Sequence, residues 1–141
     1  MEPHQASARS LRRMSVLFAL ADALFLMVVG LASNSAMHLI HALEWNLVLT
    51  LVLGMAAAMA VQMALAVLAA PVLGSIETMV PSMIVGMLSP MQLCAVELIG
   101  YHPAPATGVF AGAAFGLVTF VALRSWGRSH SRFLRRTFWE M

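Results

Sequence analysis

The sequence predicts an all-α integral membrane protein: four transmembrane helices, both termini cytoplasmic, and a basic amphipathic C-terminal tail. Three observations predict it. The 141 residues are 61% hydrophobic and only 10% charged, with a mean hydropathy of +0.87. A water-soluble domain carries about a quarter charged residues, and a core of this size cannot hide so much apolar surface. Second, four apolar stretches each come near the ~20 residues that cross a bilayer. Third, all eight basic residues are Arg, three before the first stretch and five after the last. Positive residues stay on the cytoplasmic side, so the number of crossings is even. The expected organisation is a basic N-terminus (1–13), a four-helix transmembrane domain (14–123) and an interfacial tail (124–141). A membrane of this polarity, such as the bacterial inner membrane, is the expected location.

The first span is expected at about 14–32, behind Arg9, Arg12 and Arg13. Those arginines resemble a signal-peptide n-region, but the apolar stretch exceeds the ~7–15 residues of an h-region and Asp22 interrupts it. A retained helix is expected. The outer loop, 33–44, has no Gly or Pro and should itself be helical, with Asn34 or Ser35 as N-cap. The second span is expected at about 45–70, then a short inner turn at 71–73. The third, about 72–93, holds Glu77, Pro81, Gly86 and Pro90. Proline is tolerated in membrane helices whose neighbours satisfy the freed backbone. Pro81 and Pro90 free the carbonyls of Glu77 and Gly86. After an outward segment, 94–105, the fourth span runs about 106–123. It carries Gly108, Gly112 and Gly116 at four-residue steps, a pattern that permits close helix contact. The expectation is self-association or docking on a larger membrane complex. The tail mixes Arg with Trp126, Phe133, Phe138 and Trp139, a composition suited to an anionic membrane surface.

The chemistry-bearing pattern is methionine. Of 12 Met, seven stand in two four-residue ladders: Met55, Met59 and Met63 in the second span, and Met79, Met83, Met87 and Met91 in the third. Thioethers are soft ligands that select Cu(I), and they are also pliable packing groups. Antiparallel second and third helices would let the rows line one seam, and weak repeated sites suit conduction. On the outward side stand His38, His41 and Glu44 at three-residue steps, with Met37 adjacent, then Cys94, Glu97, Tyr101 and His102. Imidazole, thiolate and carboxylate in this density are candidate metal ligands; the alternative is ordinary interfacial polar residues. One cysteine excludes an intramolecular disulfide.

Asp22 and Glu77 are intramembrane carboxylates. A charge at that depth costs at least ~2.5 kcal/mol, so each reads as a proton-coupling group or a cation counter-charge. The packing alternatives are a hydrogen bond from Gln62 to Asp22 at mid-span and a Glu77 side chain reaching the inner interface.

The Met pair Met87 and Met91, followed by Gly108 and Gly112, resembles two short motifs of the Ctr family of copper transporters. In that family the Met pair forms a Cu(I)-selective filter and the Gly motif packs a trimer. The family has three spans, an outward N-terminus and a Met-rich external tail, whereas this chain reads as four spans with an inward N-terminus.

The leading expectation is a small membrane protein that binds or moves a soft metal, Cu(I) foremost, through Met-lined helices and outer His, Cys and Glu ligands. A non-catalytic subunit of a larger complex is the first alternative, and a proton-coupled small-cation transporter the second. No nucleotide loop or catalytic triad can be assembled, so an enzyme is the least favoured class, although a membrane metal-oxidoreductase subunit stays open. The Arg clusters speak of membrane orientation and not of nucleic acid.

Overall fold

The computed structural model describes residues 3–43, 45–101 and 104–139, with side chains described over 14–43, 45–74, 79–101 and 104–129. It has four helices: α1 Pro3–His41, α2 Leu47–Leu73, α3 Ser75–Leu98 and α4 Pro105–Trp139. All four are long and apolar enough to cross a membrane. At most 33% of any span's most apolar window is buried inside the bundle. Most of that apolar surface therefore needs a non-aqueous solvent, because water would penalise it across the whole outer face.

The first helix corrects the expected boundary. Neither Asn34 nor Ser35 is an N-cap; both lie inside a continuous α1. Nothing from 31 to 41 breaks a helix; the Asn34 amide finds partners on α3 and α4, and Ser35 Oγ donates back to the Leu31 carbonyl one turn earlier on α1. The break falls at 42–46, where Asn46 is the true cap. Its Oδ1 accepts from the Val48 N–H at 3.0 Å, satisfying one orphan donor of the first turn.

The inner turn also shifts. Pro71 belongs to the last turn of α2, and the reversal is made by Gly74 at φ +91°. That region of backbone space is open to glycine and costly for other residues. Gly74 N–H closes α2 on the Ala70 carbonyl at 3.0 Å. Helix α3 keeps Pro81 and Pro90 in its interior. Helix α4 begins with Pro105, the first-turn position where a missing N–H costs nothing, and runs unbroken into the Arg-rich tail.

Helices α1 and α3 each touch all three others, while among the described residues α2 and α4 do not touch. The pair α1/α4 runs antiparallel: Leu26 faces Gly116, Gly30 faces Gly112 and Asn34 faces Gly108. Backbones come so close here that a Cβ on Gly30 would strike the Gly112 carbonyl. The Gly row thus makes close contacts with α1 inside one chain. The inward side of α2 is Thr50, Gly54, Ala58, Gln62 and Ala66. Small and polar residues, not methionines, form the contact with the bundle.

Candidate functional site

Two polar layers cross the bundle. In the layer nearer the 42–46 connection, Asn34 Nδ2 donates to the Gly108 carbonyl and Asn34 Oδ1 accepts from Ser89 Oγ, both at 2.8 Å. One amide thereby ties α1 to α3 and α4. In the layer nearer Gly74, Gln62 Nε2 donates to Ser82 Oγ at 2.9 Å, and Ser82 Oγ donates to the Met79 carbonyl at 3.0 Å. Gln62 therefore answers α3; the expected bond from Gln62 to Asp22 is not how Gln62 is used. Both serines sit on the inward side of α3 and are fully buried. Sequence reasoning passed over Ser82 and Ser89, although their seven-residue separation places them two turns apart on one side of a helix.

Beyond the Asn34 layer, the expected outer ligands come partly together. His41 Nε2 lies 2.9 Å from Glu97 Oε2. The two atoms are close without an aligned hydrogen bond, and Glu97 Oε2 has no hydrogen-bond partner. Cys94 is a half-buried free thiol one turn before Glu97 on α3. His38 turns the other way: its Nε2 is buried without a partner and rests against Gly108 and Leu93. Among the described residues, no three of His, Cys, Asp and Glu gather into a group able to hold a metal. Glu44 and His102 lie outside the described residues, as does the side chain of Glu77. A cavity of about 180 Å³ opens beside this layer, lined by Asn34, Gln92, Tyr101 and Thr107 among apolar neighbours.

The methionine rows face outward. Met79, Met83, Met87 and Met91 are 39–51% exposed, Met59 is 36% and Met63 62%; only Met55 is half-buried. The cause is the helix pitch. Each four-residue step advances ~40° beyond a full turn, so a row of four winds ~120° around its axis. Among the described residues, the methionine that is buried in the core is Met37, 2% exposed and seated against Gly54.

Asp22 stands at the other end of the bundle. With Phe25, Leu26, Pro81, Phe120, Leu123 and Arg124 it lines a cavity of about 360 Å³. No protein-family model, no curated protein and no solved structure matches this chain.

Proposed function

We propose that this chain is a membrane protein that binds a soft metal ion, Cu(I) foremost, on its outward thioether surface and holds it or passes it along the bilayer. One observation carries the reading: the methionine rows are not core filler. Irregular gaps beside prolines are where pliable methionines pack best, yet the rows at Met59–Met63 and Met79–Met91 are exposed. Core filling falls to Met37. A lipid-facing position asks only for an apolar side chain, so a repeated sulfur there has a use that packing does not supply. The outer pair His41 and Glu97, 2.9 Å apart, would meet the ion near the end of the α3 row.

Anaerobic Cu(I) competition with a chromogenic chelator tests this on the detergent-purified chain. The expected result is at least one ion per chain, lost on changing Met83 and Met87 together to Leu while thermal stability holds. Undiminished binding in that double variant would sink the reading. The same surface would serve a non-catalytic subunit of a larger assembly; that alternative predicts a stoichiometric co-purifying protein and no metal.

A further inference from the structure

We propose that His41 and Glu97 are two adjacent ligands of a site for a divalent transition-metal ion, Cu(II) foremost, at the end of the bundle that holds the 42–46 connection. The inference uses the pair that the Cu(I) reading places near the α3 row, but it does not rest on thioether binding. Imidazole and carboxylate are the donors of a harder, divalent ion. His41 is the last residue of α1, and Glu97 stands in the last turn of α3. Their side chains meet at 2.9 Å, Nε2 to Oε2. The imidazole, 33% exposed, gives an ion a way in, and water fills the coordination positions that the two residues leave.

A carboxylate at this place calls for a cation. Helices α1 and α3 both end here, so the partial negative charges of two helix C-termini gather at one end of the bundle. Glu97 adds a full charge to them. All eight basic residues are Arg, at 9, 12, 13 and from 124 onward, toward the opposite end of α1 and α4. Arg124 stands about 28 Å along α4 from Pro105, too far to reach Glu97. His38 turns away, with its Nε2 against Gly108 and Leu93. Among the described residues, the positive charge within reach of Glu97 is therefore a proton on His41 or a bound ion.

The geometry separates these two. A protonated imidazole would aim its N–H straight at the carboxylate oxygen. At 2.9 Å that bond would have an ordinary length, yet the two groups are not aligned for it, and the buried Glu97 Oε2 has no hydrogen-bond partner. An ion between them accounts for the offset. With metal–nitrogen distances of about 2.0–2.1 Å and metal–oxygen distances of about 2.0–2.2 Å, a separation of 2.9 Å closes an angle of about 90° at the metal. The oxygen then lies about 45° off the nitrogen lone-pair axis, too far off for a good hydrogen bond. A tetrahedral ion would spread the same two atoms to about 3.4 Å. A right-angled N,O pair suits tetragonal ions such as Cu(II) and Ni(II), and Cu(II) stands highest in the affinity order.

Electron paramagnetic resonance of the full chain in detergent, titrated with Cu(II) alone, tests the site. The expected result is a Cu(II) species with nitrogen hyperfine splitting, one per chain, that is lost in His41→Ala. Glu97→Gln keeps the shape and removes the charge. It should weaken that species about a hundredfold, since losing even a supporting partner of a metal ligand costs about 10–100-fold. Met83→Leu with Met87→Leu should leave the Cu(II) signal unchanged, so this site and the thioether surface stand or fail separately. No nitrogen-split signal in the parent chain, or a signal unchanged in either His41→Ala or Glu97→Gln, overturns the proposal. Loss of the signal in the methionine variant overturns its assignment to this pair. Both side chains stand at helix ends, so either variant decides the matter if the other fails to fold.

Discussion

The α1/α4 and α2/α3 seams join antiparallel helices of the same bundle by opposite means. Along α1/α4 the side chains are removed: Gly30, Gly112 and Gly116 let carbonyls and Cα atoms touch. Along α2/α3 a side chain is inserted: Gln62 crosses to Ser82 and its stem packs over Gly86. In lipid no hydrophobic force drives helices together, so close van der Waals contact and interhelical hydrogen bonds are what remain. The first seam rests on the former, with the single amide bond from Asn34 to the Gly108 carbonyl added, and the second on the latter. A glycine seam cannot give way, since its opposing atoms are backbone. A glutamine seam can, since a side chain changes rotamer.

That contrast can be broken by substitution. The largest effect is expected at Gly112→Val, which drives a branched side chain into the Gly30 carbonyl and the Asn34 amide. A loss of about 3 kcal/mol, read by denaturant unfolding in mixed micelles, would fit; a neutral result would mean α1 and α4 are not in contact. Gly54→Val meets only the thioether end of Met37, so its cost should be plainly smaller. Asn34→Ala leaves Ser89 and the Gly108 carbonyl without their buried partner, a loss of about 1–2 kcal/mol. Ser82→Ala removes one interhelical bond at Gln62 and should cost only about 0.6 kcal/mol. The order Gly112, Asn34, Ser82 sharpens the comparison; a reversed order would put the hydrogen bonds, not the backbone contacts, in charge of the fold. Smallest of all, Met83→Leu with Met87→Leu should move stability by under ~0.5 kcal/mol, because both side chains lie on the outer surface.

The four spans, the close-packing Gly row and the Met spacing could all be read in the sequence, because each is a local pattern. What could not be read is where polar residues inside apolar helices find partners. Asn34 has the residue type of a cap, and only the arrival of Ser89 and Gly108 from distant parts of the chain explains why α1 runs through it. The methionine rows show a subtler limit. Their spacing is helical, but a 3.6-residue turn carries a four-residue repeat around the axis, so spacing alone does not say which way a long row faces. Gln92 and Thr107 beside the smaller cavity offered no pattern in the sequence to find them by.

The length of α1 and α4 has a mechanical consequence. Apart from the apolar spans, α1 has 3–13 and α4 has 130–139 still to run as helix. The antiparallel pairing puts both extensions at one end of the bundle, each about 15 Å long. The arginines at 9, 12, 13, 132, 135 and 136 are therefore mounted on stiff levers and not on loose tethers. A force on either extension is carried along its helix toward the glycine seam. The one compliant point on α4 is Gly127, with no neighbour against it; a glycine there bends more easily than any other residue of that rod.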